Sequence, residues 1–148
     1  APIHPSVGYK IIYKDRSIVL SGDTIPSPHV TREAKGVDVL IHEAMSMDLM
    51  KLLQEGAQQA KRDKLEQLMK DITDYHTSPV QAAEIAQQAQ VPYLLLNHIA
   101  PPLPLPGLVD AFLKGTAEVF KGKIQVAKDG DFLSLPAGKK SIAVSHRF

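Results

Sequence analysis

The sequence contains the stretch SIVLSGDT, from Ser17 to Thr24, in which apolar residues suited to a buried strand run directly into a Gly-Asp pair. A carboxylate that follows a strand, with a glycine beside it, lies where α/β folds place their chemistry. Asp residues at strand ends are more commonly turn formers than ligands, so Asp23 alone decides little. Other strands end in the same way, and this repetition predicts an α/β fold with polar side chains gathered at one edge of a sheet.

Two more apolar runs predict strands that end in polar side chains. Val37–Ile41 is nearly all valine, leucine and isoleucine, as in a strand covered on both faces, and His42 and Glu43 follow it. Tyr93–Asn97 predicts a third strand, with His98 directly after it. We therefore expect these polar groups to lie beside Asp23, which follows the strand Ser17–Leu20.

Helical patterns fill the segments between the strands. Ser46–Asp74 repeats apolar residues at helical spacing, and Gly56 is expected to divide it into two helices. The polar segment Gln58–Lys64 is expected to be a lid-like surface region. Ser78 begins another helix, because it can cap the helix and Gln81 completes a capping box. Two more helices are predicted over Val30–Lys35 and Leu108–Phe120. The prolines of Pro101–Pro106 predict a rigid loop.

Hairpins are predicted near both ends of the sequence. Gly8–Lys14 and Ser17–Leu20 are strands joined by a short polar turn. Farther along, the Asp129-Gly130 turn is expected to join Lys123–Ala127 to Phe132–Leu135. The tail over 138–148 carries no prediction.

The composition limits the classes of function. The 148 residues fit one α/β unit over 1–148, and a net charge of +1 gives no general argument for nucleic-acid binding. The lack of cysteine excludes thiolate zinc sites and leaves the compartment open. No apolar run approaches the ~20 residues of a membrane span, so no membrane partner is expected. Ala1–Pro5 lacks the features of a signal peptide, and a cytoplasmic location is favoured over a periplasmic one.

Three of the six histidines lie at predicted element ends, and each has two interpretations. Asp23 and His98 are donors of the kind that bind metal, or a turn former and a structural histidine. His42 and Glu43 are a pair that supports a site, or a strand cap. His76 precedes a capped helix, which suits a proton donor or acceptor, although a plain surface histidine is the ordinary alternative. Solvent exposure is expected for the remaining histidines, His4, His29 and His146.

Several motifs occur in an order that resembles one known family. The ordered set is similar to the carboxyl-terminal half of metallo-β-lactamase-fold hydrolases, in the ribonuclease Z-like and arylsulfatase-like branch. Each motif is short, and their order supplies the specificity. The matching stretches are Ser21–Thr24, Asp38–Ala44, His76–Pro79 with Gln81–Ala83, Leu96–Ile99 and Val126–Asp131.

The resemblance implies a role for each matching side chain. Asp23 corresponds to the carboxylate that bridges two zinc ions, and His98 to the last histidine ligand. Glu43 and His76 correspond to a pair that assists proton delivery to the leaving group. Hydrogen-bonding support of these groups is implied for Ser21, Thr24 and Thr77, and the strand-end position of His42 predicts the same role for it.

One part of the family pattern is missing from this sequence. The His-x-His-x-Asp-His run, which supplies most metal ligands in the family's amino-terminal half, does not occur. Pro2–Tyr9 looks like the segment that follows a further ligand histidine. The expected fold is therefore half of an αββα sandwich, a mixed sheet flanked by helices. The expected function is the corresponding portion of a two-zinc hydrolase for phosphodiester or ester bonds, including RNA, with weak or no zinc binding alone.

A second interpretation belongs to another class of protein. The chain would then be a self-standing, non-enzymatic half-domain that dimerises or docks on a complementing amino-terminal half. Half of a sandwich leaves an apolar sheet face without a cover, and such faces mark partners. Metal content and oligomeric state distinguish the two interpretations.

Overall fold

The computed structural model describes residues 5–105 and 107–147. The exposure expected for His4, and the Pro106 end of the predicted proline-rich loop, lie outside the described residues.

A five-stranded sheet forms the centre of the described structure, and its strands follow one another in chain order. The first two strands form the predicted antiparallel hairpin, and each later strand pairs in parallel with the one before it. Helices connect the parallel strands, which confirms the α/β class. The strands are β1 (Tyr9–Tyr13), β2 (Arg16–Leu20), β3 (Val39–Met45), β4 (Tyr93–Ala100) and β5 (Lys123–Val126).

The helices begin where the sequence provides caps. Ser78 accepts a hydrogen bond from the Gln81 amide while the Gln81 side chain accepts one from the Ser78 amide, so the predicted capping box is confirmed. Among the described residues, none of the helices combines the length and the apolar character needed to cross a bilayer. The helices are α1 (Pro28–Glu33), α2 (Met47–Gln59), α3 (Asp63–Ile72), α4 (Pro79–Gln88), α5 (Leu108–Phe112) and α6 (Thr116–Val119), with a 3-10 turn over Thr73–Tyr75.

The main core lies between one face of the sheet and the helices. Leu40 of β3 and Leu94 of β4 are fully buried there against Ala82 and Ala86 of α4. Alanine at these positions lets the helix backbone approach the sheet closely, so bulky sheet residues fill the space between them. Truncation of any of these leucines would leave a cavity in this layer.

The opposite face of the sheet is covered in part by a second, two-stranded sheet. β6 (Asp131–Ser134) pairs antiparallel with β7 (Ala143–His146), and Leu133 and Val144 pack against Val39 and Leu95. The predicted β5–β6 hairpin is therefore wrong. The chain crosses onto the apolar face because that face would otherwise be exposed to water, and the tail without a prediction supplies the pairing strand.

β3 and β4 are longer than predicted, so their polar side chains lie within strands rather than after them. The pairing steps from Glu43–Asn97 to Ala44–Ile99, which leaves His98 as the extra residue of a β-bulge. His98 has φ 43°, in the left-handed region. The bulge turns the histidine side chain out of the regular alternation of β4.

Two helix predictions fail because a residue with left-handed φ breaks the helix elsewhere. Gly56 lies inside α2, and the break comes near Lys61, which has φ 53°. The predicted helix over Leu108–Phe120 divides into α5 and α6 at Gly115, which has φ 84°. A Cβ at Gly115 would lie 3.3 Å from the Val80 side chain, so glycine suits both the conformation and the packing.

Candidate functional site

The carboxyl ends of the parallel strands gather the predicted site residues at one edge of the sheet. Asp23 follows β2, Glu43 lies near the end of β3, and His98 occupies the bulge of β4. His76 comes from the loop between the 3-10 turn and α4. The structure thus brings together four side chains from four separate parts of the sequence.

The segment before β1 holds Asp23 in place, a contribution that the sequence did not reveal. Ser6 Oγ donates a hydrogen bond of 2.6 Å to the Asp23 backbone oxygen. Gly22 has φ 65°, and a Cβ there would lie 2.3 Å from the Val7 oxygen. A Cβ at Gly8 would likewise lie 2.7 Å from the Leu20 oxygen. Both glycines let the two backbones approach, and the turn of Asp23 depends on that approach.

Glu43 is the most connected side chain of the site. One carboxylate oxygen accepts the Thr77 amide at 2.8 Å and the Thr24 amide at 3.3 Å, and the other contacts His76 Nδ1 at 3.2 Å. The Glu43 residue is only 1% exposed. Burial raises the pKa of its carboxyl group, while the Thr77 amide and the nearby His76 oppose that rise.

Threonine and serine hydroxyl groups connect the loops around Glu43. Thr77 Oγ1 donates to the Thr24 oxygen at 2.6 Å. Ser21 Oγ accepts the Glu43 amide at 3.1 Å and donates to the Gly22 oxygen at 2.7 Å. These contacts join the loops after β2 and before α4 to β3.

His42 is fully buried and contacts the backbone of Glu43. Nδ1 contacts the Glu43 backbone oxygen at 2.7 Å, so Nδ1 is the nitrogen that carries the proton. Nε2 has no hydrogen-bond partner within the described part of the chain. Burial lowers the pKa of His42 below its ordinary value of 6.5, because the charged ring would lose its hydration.

The buried His42 predicts a loss of stability in mild acid. Its pKa is lower in the folded state, so the unfolded chain binds a proton first as the pH falls below 6.5. The free energy of unfolding should then fall by up to about 1.4 kcal/mol per pH unit. Urea titrations at about pH 7.5 and about pH 5.5 measure this difference, and His42→Asn, which keeps a donor near the Nδ1 position, should reduce it.

The matched control is His29→Asn, because His29 is exposed, and it should leave the pH dependence unchanged. Glu43 acts in the opposite sense, since its raised pKa removes stability as the pH rises above 4.5, but it is present in all three proteins. An equal pH dependence in the His42→Asn variant and the original chain would contradict the prediction.

Asp23 and His98 form the open part of the site. His98 Nδ1 and Asp23 Oδ1 are 2.5 Å apart, and both side chains are about half exposed, at 52% and 56%. The His98 ring also meets the His76 ring edge to face, with centroids 5.7 Å apart. The two histidine rings therefore lie next to each other. His76 contacts the buried carboxylate of Glu43, and His98 contacts the exposed carboxylate of Asp23.

Asp23 and His98 supply donors of the kinds that zinc takes, an oxygen and an imidazole nitrogen. A zinc site requires three or four protein ligands, and the described residues contain no group of three or more His, Cys, Asp or Glu residues that could hold a metal ion. The described part of this chain does not by itself fit a complete zinc site.

The structure forms a second His-Asp pair that the sequence did not predict. His146 Nδ1 lies 3.1 Å from Asp131 Oδ1, and Asp131 Oδ2 accepts the Lys128 amide at 2.9 Å. The Lys128 amide and His146 lower the pKa of Asp131. His29 and His146 are exposed, as predicted. This pair joins β7 to the first residue of β6, and the Lys128 amide connects Asp131 to the preceding turn.

Comparison with known proteins agrees with the fold and with the order of the motifs. Over 128 residues the chain is 31% identical to "Ribonuclease Z" of Mycobacterium sp. (strain KMS) and 34% identical to that of Mycolicibacterium gilvum. Each match covers 86% of this chain and 41% of the relative. The chain is ribonuclease Z-like.

The solved structures place the ribonuclease Z-like chain in the metallo-β-lactamase fold. The match to the metallo-β-lactamase fold protein YhfI from Bacillus subtilis covers 97% of this chain and 46% of YhfI, with a TM-score of 0.59 and 21% identity. A long form RNase Z from yeast matches 77% of the chain and 13% of its own length, with TM-score 0.50 and 23% identity. No family model matches.

The matched region is only part of each relative. A putative ribonuclease Z of Mycobacterium tuberculosis is 32% identical, and 52% of it is covered. The chain thus spans about two fifths to one half of these curated relatives, and it corresponds to their carboxyl-terminal part. The resemblance drawn from the ordered motifs is confirmed.

Proposed function

We propose that this chain is the carboxyl-terminal portion of a metal-dependent hydrolase that cleaves phosphodiester or ester bonds, and that it is inactive without an amino-terminal half. The observation that carries the proposal is the convergence of Asp23, Glu43, His76 and His98 at one sheet edge. The missing half would bring the His-x-His-x-Asp-His run. Of the two proposed substrates we favour RNA over a small ester, because the relatives are named as ribonucleases.

In the complete site Asp23 and His98 would be among the residues that hold zinc. Zinc bound there would supply a nucleophile at neutral pH and would offset the negative charge that develops on the substrate. This chain contributes two of the ligands, and the other half would contribute the rest.

The proton for the leaving group is assigned to His76. Glu43 contacts Nδ1 and fixes the ring, which leaves Nε2 for the substrate. As the hydroxide nucleophile bonds to the phosphorus or acyl carbon, the bond from that atom to the leaving oxygen breaks. The leaving oxygen takes the Nε2 proton and departs as a neutral alcohol, and His76 is left as a neutral imidazole with its Nδ1 proton toward Glu43. Glu43 is a positioning residue in this scheme, since it acts through His76.

The isolated chain should bind Zn²⁺ weakly and show no phosphodiesterase turnover. Two recognisable ligands fill about half of a tetrahedral zinc site. The measurement is zinc content after dialysis against a mild chelator, together with cleavage of a short RNA, before and after addition of an amino-terminal half taken from a ribonuclease Z. Stoichiometric zinc in the dialysed chain alone would contradict this prediction, and no turnover after complementation would contradict the proposed function.

A second candidate is the self-standing half-domain, and the exposure of β1 favours it. Lys10 points toward the helices, since its amine lies 3.8 Å from Glu33 of α1. Side chains alternate along a strand, so Tyr9, Ile11 and Tyr13 lie on the opposite face, where they are 64%, 52% and 64% exposed. This row of three apolar side chains is the part of the sheet face that β6 and β7 leave uncovered.

The chain should therefore associate with itself or with a complementing half. Burial of apolar surface contributes ~25 cal/mol per Å², so a bare apolar row favours contact. Light scattering at tens of micromolar should show a species heavier than one chain, and Ile11→Asp should dissociate it. Val144→Ala, on the covered part of the same face, is the control for general loss of packing. A monodisperse monomer of the original chain would count against this prediction.

A further inference from the structure

Three aromatic rings stand in a row at the candidate site. Tyr75 and His76 have ring centroids 5.0 Å apart at a tilt of 43°, and His76 and His98 have centroids 5.7 Å apart at 82°. The row begins at the bulge of β4 and ends on the phenol ring of Tyr75. His76 and His98 already have carboxylate partners, whereas Tyr75 has no role in the proposed reaction.

The position of Tyr75 exposes an aromatic ring directly beside the reacting groups. Tyr75 is the last residue of the 3-10 turn, immediately before His76, and it is 40% exposed. Tyr93 is buried and Tyr9 and Tyr13 are more exposed than Tyr75, so what distinguishes Tyr75 among the four tyrosines is its contact with the ring of a candidate site residue. The Tyr75 ring is supported on one side by His76 and is free to contact a ligand.

The segments that hold the site residues contain no Lys or Arg. Residues 21–27, 73–78 and 97–105 include neither Lys nor Arg, although the whole chain has 17. Contact with phosphate groups relies chiefly on Lys and Arg. These segments instead expose apolar side chains, with Ile25 at 55% and Leu105 at 63% exposure. These segments therefore offer exposed apolar and aromatic side chains and no Lys or Arg to pair with a phosphate.

We propose that Tyr75 is a specificity-determining residue whose ring stacks on the unpaired nucleobase next to the scissile phosphodiester. The inference rests on the proposed function, because it names the part of the substrate that this portion of the site recognises. Stacking tolerates every base, since each has a flat aromatic face. Tyr75 thus selects an unpaired base over a base-free phosphate ester, without reading the sequence.

The test uses the 148-residue chain itself and needs neither metal nor turnover. Adenosine 5′-monophosphate is titrated into chain labelled at tyrosine, and the ring protons are followed by NMR. Stacking should move the Tyr75 signals upfield, and ribose 5-phosphate, which lacks the base, should not. Tyr75→Ala should weaken nucleotide binding about tenfold, and Tyr75→Phe should keep it.

Phe132→Ala is the matched control. Phe132 is an aromatic residue of similar exposure, 45%, and it lies in β6 of the two-stranded sheet rather than at the edge that carries the candidate site. This variant should bind the nucleotide as the original chain does. The proposal is overturned if the original chain does not bind the nucleotide, if ribose 5-phosphate binds equally well, or if Tyr75→Ala binds without loss. Each result is independent of the complementation assay, so failure of the proposed hydrolase and failure of the stacking contact are distinguishable.

Discussion

His76→Ala should lower turnover of the complemented enzyme by about 10²–10⁴-fold while the metal stays bound. The expectation follows from two contacts. The His76 ring lies edge to face against the His98 ring, and its Nδ1 contacts the buried carboxylate of Glu43. Loss of a general acid slows the step in which the leaving oxygen departs, but it removes no metal ligand. The measurement pairs metal content with the rate of cleavage of a substrate that has a poor leaving group.

His98→Ala is the companion variant. If His98 is a ligand, its removal should lower both the metal content and the rate. A loss of metal in His76→Ala equal to that in His98→Ala would make His76 a ligand. Full turnover of His76→Ala on a poor leaving group would remove its role as proton donor. The two variants separate the functions of neighbouring rings that one activity assay would confuse.

Glu43→Ala should lower the free energy of unfolding by about 3 kcal/mol. The carboxylate is the acceptor for the Thr77 and Thr24 amides, and Thr77 is fully buried. Removal of the acceptor leaves the buried Thr77 amide unpaired and the partly exposed Thr24 amide without its protein partner, and a buried unpaired donor costs about 1–3 kcal/mol. Urea titration near neutral pH measures the loss.

Two further variants test the cause of that loss. Glu43→Gln keeps an oxygen for the Thr77 amide and should lose about half as much stability. Glu33→Ala removes a carboxylate that is 49% exposed and should change stability by less than about 0.5 kcal/mol. Equal stability of Glu43→Ala and the original chain would show that the carboxylate does not hold these loops together. The same residue thus has a role in the fold and, through His76, in the proposed chemistry.

Local sequence was sufficient for features whose causes lie within a few residues. The Ser78 capping box, the β1–β2 hairpin and the apolar runs of β3 and β4 depend on neighbours in the chain, and all are present. The order of strand-end motifs also predicted which sheet edge would carry the site. Parallel strands bring their carboxyl ends to one edge whatever the lengths of the connecting segments.

Contacts between distant residues decided the rest. The bulge at His98 arises from a change of register between β3 and β4. The hydrogen bonds to the Glu43 carboxylate come from residues up to 34 positions away in the sequence. The predicted pairing of Phe132–Leu135 with β5 was wrong because this segment covers the apolar face of the sheet instead. Burial of that face outweighs the local turn preference. The face is built from several strands that are far apart in the sequence, so a short stretch of sequence does not reveal it.

The sequence by itself therefore determined the α/β class, the family resemblance and which side chains would meet at the candidate site. Only the tertiary structure decided that Glu43 faces His76, that Asp23 faces His98, and that the His42 ring is fully buried. The physical reason is that residue type fixes what a group can donate or accept, whereas its partner depends on register, bulges and close backbone approach. These are set by the packing of the whole sheet.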